Sequence, residues 1–163
     1  MYNVAIIGAG PAGIFAALEI TKLKPDWKVV LVEKGQKIEK RVCLLREGYE
    51  KCPNCKKCGL LCGWGGAGAF SDGKLTLTPD VGGHLVDYMQ REKVEELIDY
   101  ADQLYLDFGA TKEVFGTDMK VFRELERQAV LAELKLVHSP VRHLGTERSL
   151  DVLKNMQDYL SEN

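Results

Sequence analysis

The beginning of the chain carries the pattern that most restricts its fold. A short apolar run, Val4 to Ile7, leads directly into the glycine-rich segment Gly8 to Gly13, and apolar residues at helical spacing follow. Pro25 limits that helix, and a second apolar run, Val29 to Val32, ends at Glu33. Neither run alternates with polar residues, which is typical of strands buried on both faces of a parallel sheet. The pattern predicts a strand, a tight turn, a helix and a second strand closed by an acid.

Each residue of this turn has a physical role if a dinucleotide binds there. Gly8 permits the tight turn, Gly10 lets the backbone approach a pyrophosphate, and Gly13 lets helix and strand pack closely. Pro11 and Ala12 open the helix, whose free N–H groups and positive dipole end attract phosphate. We therefore predict that the turn from Gly8 to Gly13 binds a cofactor.

The acid that ends the second strand extends this prediction. Glu33 lies 20 residues after Gly13, where a carboxylate accepts hydrogen bonds from ribose hydroxyls. Arg41 follows closely enough in the chain to reach back toward a bound phosphate. The alternative is a glycine-rich turn in an unrelated α/β protein, with Glu33 as a solvated strand end. The turn alone does not separate NAD from FAD.

Cysteines form a second motif. Four of them fall within eleven residues, at Cys52, Cys55, Cys58 and Cys62. The spacing equals the bacterial iron–sulfur run, although Gly63 stands where that run has proline. In that run the fourth cysteine serves another cluster, so Cys43 is the candidate for a missing ligand. Zinc is the alternative metal, and neighbouring lysines favour thiolates in either case. Free or redox-active thiols, or no role, also stay open.

A second glycine-rich segment, Gly63 to Gly73, follows the cysteines. So many glycines cost backbone entropy on folding, which makes sense where the backbone approaches a flat or phosphorylated ligand. A flexible linker is the alternative, but Trp64 and Phe70 are out of place in one. We predict a loop that faces a ligand, with contacts at Gly65 and Gly66. It is a second site, apart from the phosphate turn.

The rest of the chain is predicted to be mainly helical. Apolar stripes run from Val94 to Phe108, from Met119 to Ala132 and from Leu150 to Leu160, and we interpret them as core. Leu134 to Val141 is a candidate short strand, with Pro140 at its edge or end. The three histidines have ordinary structural interpretations, so no catalytic residue is assigned.

Composition excludes several classes of protein. The chain has 163 residues, 45% hydrophobic and 28% charged, with a net charge of -2. It lacks the basic excess that draws a protein to nucleic acid or to an anionic membrane. No stretch approaches the roughly 20 apolar residues of a membrane-spanning helix, and no basic region precedes the first apolar run. We expect a cytoplasmic protein.

The motifs resemble a family of poorly characterised bacterial FAD-dependent dehydrogenases, related distantly to flavoproteins of the glutathione-reductase type. The resemblance covers nearly the whole chain, through Gly8–Gly13 with Glu33 and Lys34, Arg41–Cys43, Cys62–Leu75 and Ser139–Thr146.

The resemblance implies a cofactor and its contacts. FAD would place its pyrophosphate on Gly8–Gly13 and its adenosine ribose on Glu33, with Lys34 beside it. The loop from Gly65 to Lys74 would pass near the flavin. NAD(P) would be the electron partner of the whole protein.

Family members look considerably longer than 163 residues. The expected fold is a Rossmann-like FAD/NAD(P)-binding βαβ unit with additional helices and an incomplete sheet. We expect the N-terminal part of such a domain, inactive without the missing C-terminal part. Its regions are 1–35 (βαβ), 36–83 (cysteine- and glycine-rich loops) and 84–163 (mainly helical). Two other functions stay open, a metal-binding electron-transfer module and a non-catalytic NAD-binding module.

Overall fold

The computed structural model describes residues 1–163, which form a mixed α/β structure. Its strands and α-helices are, in chain order, β1 (Val4–Ile7), α1 (Pro11–Leu23), β2 (Val29–Val32), β3 (Lys74–Thr76), α2 (Arg91–Asp107), α3 (Met119–Leu131), β4 (Val141–His143) and α4 (Gly145–Glu162). Short 3-10 helices occur at Ile38–Lys40, Gly66–Phe70 and Leu85–Asp87. Two compact units result, the first formed by Met1–Gly73 with Thr146–Asn163 and the second by Lys74–Gly145. None of the helices has the length and apolar character needed to cross a membrane.

The first unit contains the predicted strand, helix and strand. β1 and β2 pair in parallel, from Val4 opposite Val29 to Ile7 opposite Val32. This arrangement is consistent with a Rossmann-like unit, although its sheet has only two strands. The expectation that these strands are buried on both faces is wrong, because Ile7 is 80% exposed and Val32 49%. Residues of β1 alternate in burial, since only one face of the strand is covered in this unit.

Two helices supply the core of the first unit. α1 begins at Pro11, where a missing N–H costs no helical hydrogen bond, and ends before Pro25. Its buried residues are Ile14, Ala17 and Leu18. Those of α4 include Val152, Leu153 and Met156. Burying one such aliphatic side chain stabilises the fold by roughly 1.5–3 kcal/mol. The indole N–H of Trp64 donates to the Leu153 carbonyl oxygen at 2.7 Å, so α4 is tied to the second glycine-rich segment.

The second unit is built on an antiparallel pair and a buried ion pair. β3 and β4 pair through Lys74 opposite His143 and Thr76 opposite Val141. Arg142 is 4% exposed and holds Asp102 with two hydrogen bonds of 2.6 Å, from Nε to Oδ1 and from Nη2 to Oδ2. This bidentate geometry fixes α2 against β4, because removing either side chain would leave the charge of the other unpaired in a largely buried place.

Three expectations for this part of the chain are wrong. The predicted strand at 134–141 begins only at Val141, immediately after Pro140, which has no N–H to donate to a sheet. The segment 74–76, predicted as loop, is strand β3. The apolar stripe of α3 is not core, because Val121 is 55% exposed, Leu125 is 50% exposed and no residue of α3 is buried. Helical periodicity identifies an amphipathic face but not whether anything covers it.

Candidate functional site

The turn after β1 requires glycine at two of its positions for reasons internal to the chain. Gly8 has φ of +100°, in the left-handed region, and its N–H donates to the Val32 carbonyl oxygen at 2.8 Å. At Gly13 a Cβ would lie 1.9 Å from the Gly8 carbonyl oxygen. The turn and the first part of α1 are therefore in direct backbone contact, as the spacing predicts.

Gly10 is different from these two glycines. Its φ is -77°, which any residue adopts, and a Cβ there would meet no atom within 4 Å. As the N-cap of α1 it supplies no side-chain oxygen to the first-turn N–H groups, and that turn, opened by Pro11 and Ala12, has no acidic residue. Open space thus lies before the positive end of a helix, where an anion is stabilised.

Glu33 joins three segments of the first unit. Its Oε2 accepts the Ala9 N–H at 2.9 Å, and its Oε1 accepts the N–H groups of Gly35 at 2.8 Å and Gly63 at 3.0 Å. Partial burial acts to raise the pKa of this carboxyl, but the three N–H donors and the charge of exposed Lys34 hold the pKa below its usual value. Of the roughly four acceptor positions of a carboxylate, three are used, so Oε2 keeps one for a hydroxyl donor.

This pKa shift gives a pH-dependent contribution to stability. Because the folded-state pKa lies below the ordinary value of 4.5, the stabilisation is fully present above that pH and is lost as the pH falls through the folded pKa. We expect Glu33→Gln to lower the free energy of unfolding by about 1–3 kcal/mol at pH 7, since its amide NH₂ cannot accept from backbone N–H groups. In urea titrations, the difference in unfolding free energy between wild type and this variant should become smaller at acidic pH.

A matched control is Glu50→Gln, at an exposed carboxyl. It should leave the unfolding free energy at pH 7 within about 0.5 kcal/mol of wild type. If Glu33→Gln lowers the unfolding free energy by the same amount at pH 7 and at acidic pH, the assigned role of the Glu33 carboxylate is contradicted.

The two glycine-rich segments meet at one place. The Gly65 N–H donates to the Ala9 carbonyl oxygen at 2.8 Å, and a Cβ at Gly66 would lie 3.3 Å from the Gly10 Cα. The two segments, which the sequence predicts as separate sites, are therefore in backbone contact at the N-terminal end of α1. Binding of a ligand by either segment stays a prediction. A Cβ at Gly66 would contact the Gly10 Cα at a shorter distance than ordinary packing allows.

The Arg41 side chain forms hydrogen bonds with the backbone just before the second glycine-rich segment and within it. The side chain is 6% exposed, and its guanidinium donates to four carbonyl oxygens, those of Gly59, Leu60, Trp64 and Gly66, at 2.6–2.9 Å. The guanidinium carbon also lies 4.8 Å from the centre of the Phe70 ring. Four of the five N–H groups of an arginine are thus used. Contact with a phosphate stays a prediction, and no sequence signal reveals the structural role.

The cysteines do not come together as a metal site in this structure. All five are free thiols, and no group of three or more metal-ligating side chains is assembled. Cys52 and Cys55 are exposed, whereas Cys43, Cys58 and Cys62 are partly buried. The predicted metal ligands, Cys52, Cys55, Cys58 and Cys62, stay a prediction from spacing alone.

Sequence reasoning missed a cavity of about 370 Å³ in the first unit. It is bounded by α1, β2 and α4, with Val29 and Leu31 of β2 on its wall and Glu33 at its margin. No local motif marks it, because its wall is assembled from residues far apart in sequence. Its lining is mixed, because polar residues such as Gln36 and Gln157 stand beside the apolar ones.

One comparison with known proteins covers the beginning of the first unit. Residues 3–42 match the family model described as FAD binding domain, a span that contains β1, α1, β2, Glu33 and Arg41. The match supports an FAD-binding flavoprotein portion. It covers a minority of the chain.

One similar protein is an uncharacterized protein of Clostridium beijerinckii, 39% identical over 71 residues. The aligned part is 44% of this chain and 13% of that protein's length. No solved structure matches the chain.

Proposed function

We propose that this chain is the FAD-binding portion of a flavin-dependent oxidoreductase and that the pyrophosphate of FAD lies at the N-terminal end of α1. The observation that carries the proposal is the open space at Gly10. The fold itself explains the glycines at positions 8 and 13, but nothing within 4 Å explains the one at position 10. A bound phosphate close to the backbone would explain it.

The groups around this space fit the cofactor. The first-turn N–H groups and the helix dipole favour phosphate, and Glu33 Oε2 keeps an acceptor position for a ribose hydroxyl. The backbone of Gly65 and Gly66 borders the same space from the other glycine-rich segment. The chain would therefore bind and orient the adenosine side of FAD and the pyrophosphate.

The oxidoreductase activity belongs to the longer protein in this proposal. Bound FAD supplies the hydride-transfer chemistry, and the protein supplies binding and orientation. A dehydrogenase reaction with NAD(P) as electron partner is the form that the family resemblance implies. We propose no catalytic residue within this chain.

The first test is the binding of FAD to the purified chain. After desalting or FAD titration, we expect flavin absorbance with the protein peak or saturable quenching of flavin fluorescence. In Gly10→Ala the Cβ fills the phosphate space, so the dissociation constant should rise at least about tenfold, equivalent to about 1.4 kcal/mol. The unfolding free energy should stay within about 0.5 kcal/mol of wild type, because that Cβ meets no protein atom.

Gly83→Ala is the matched control, because a Cβ there also meets no atom within 4 Å and the residue lies in the second unit. It should bind FAD as wild type does. Equal FAD affinity in Gly10→Ala would contradict the proposed phosphate position. Binding of NAD in preference to FAD would favour the NAD-binding alternative, and stoichiometric iron or zinc without flavin would favour the metal-binding one.

A further inference from the structure

A small cavity in the first unit combines thiols with positive charge. Its volume is about 160 Å³, and its lining includes the thiol-bearing Cys58 and Cys62 and the cationic Lys40, Arg41 and Lys57. No carboxylate side chain lines it. The Glu33 carboxylate lies close by, on the Gly63 N–H next to Cys62, but the three cations outnumber it, so the local field attracts small anions.

The two thiols of this cavity are neighbours on one turn of the backbone. The Cys62 N–H donates to the Cys58 carbonyl oxygen at 2.8 Å, which is the hydrogen bond of a single helical turn. On a helix, side chains at this spacing lie on the same face with about 5–6 Å between their Cβ atoms, and a single turn of this kind brings its two ends to a similar distance. Both residues are partly exposed, so a reagent reaches them.

We propose that Cys58 and Cys62 form a redox-active dithiol that is oxidised by small disulfides bearing carboxylates. The thiolate of one cysteine attacks a sulfur of the reagent, whose S–S bond breaks and releases one thiolate. The second cysteine loses its proton to water and attacks the protein sulfur of the mixed disulfide, which releases the other reagent thiolate. The two protein thiols lose two electrons, and the reagent disulfide gains them.

The position of Arg41 links this dithiol to the glycine-rich segment. Its guanidinium donates to the carbonyl oxygens of Gly59 and Leu60, which lie between the two cysteines, and to that of Gly66. A disulfide needs its Cβ atoms about 3.5–4.5 Å apart, so closing it tightens the turn. Oxidation should therefore shift these two carbonyls and loosen the hold of Arg41 on Gly66.

The experiment uses the reagent 5,5′-dithiobis(2-nitrobenzoate), a disulfide with two carboxylates, under anaerobic conditions. One form of the chain keeps only the cavity pair (Cys43→Ser, Cys52→Ser and Cys55→Ser), and its matched control keeps only Cys52 and Cys55, which are exposed. With one equivalent of reagent, the cavity pair should release two nitrothiobenzoates. Mass spectrometry should then show a Cys58–Cys62 cross-link and no bound reagent.

The second measurement tests the role of the cationic lining. For each pair, the reaction rate with this anionic reagent is divided by the rate with neutral dipyridyl disulfide. That ratio should be at least about threefold higher for the cavity pair than for the exposed pair. Lys40→Gln with Lys57→Gln should reduce that ratio, while circular dichroism confirms an unchanged fold. Retention of bound reagent on the cavity pair, or equal ratios for the two pairs, would overturn the proposal. Because neither result involves flavin, this outcome is independent of FAD binding.

Discussion

Gly13→Ala is expected to destabilise the first unit by about 3 kcal/mol or more, the scale of a severe overpacking. The new Cβ would lie 1.9 Å from the carbonyl oxygen of Gly8 and 3.1 Å from its carbonyl carbon. Both are backbone atoms, so relief requires α1 to move away from the turn. Replacing an exposed glycine inside a helix with alanine normally stabilises it by up to about 1 kcal/mol, so the predicted sign is opposite to helix propensity.

Urea unfolding followed through tryptophan fluorescence measures this effect. Both tryptophans, Trp27 and Trp64, belong to the first unit, and Trp64 is 8% exposed, so the change in emission reports on the packing of that unit. Gly10→Ala is the matched control in the same turn, with an expected change within about 0.5 kcal/mol. A Gly13→Ala chain as stable as wild type would contradict the backbone contact between the turn and α1.

The parts of the fold predicted from sequence are those specified by local signals. The elements β1, α1 and β2 were predictable because nearby residues determine where they begin and end, such as Gly8 at the turn and Pro25 after the helix. α2 and α4 were predictable from periodicity in the same way. β3 was not, because three residues gain strand structure only by pairing with β4, more than 60 residues away.

The site shows the same division. The turn from Gly8 to Gly13 is a local motif, so its three glycines could be identified from spacing, and phosphate binding there stays a prediction. The partners of Glu33 could not, because its carboxylate meets N–H groups both early and late in the chain, at Ala9 and Gly63. Spacing predicted a carboxylate free to bind a ribose. In the structure, this carboxylate accepts hydrogen bonds that join backbone segments.

Arg41→Met is expected to lower the free energy of unfolding by about 3–5 kcal/mol without any ligand present. Methionine keeps an apolar stem but donates no hydrogen bond, so four carbonyl oxygens lose a charged donor. The loss is large relative to the roughly 5–15 kcal/mol that stabilises a typical domain. Hydrogen exchange should also quicken at residues 59–66, which contain all four acceptors.

Arg46→Met is the matched control for this variant. Its guanidinium carbon also faces Phe70, at 5.6 Å, but the side chain is exposed and donates to none of these four carbonyls. Its unfolding free energy should stay within about 0.5 kcal/mol of wild type. If Arg41 instead acts mainly on a phosphate, Arg41→Met would keep wild-type stability and exchange rates and lose only FAD affinity. That result would replace the structural role with the one that its position in the sequence predicts.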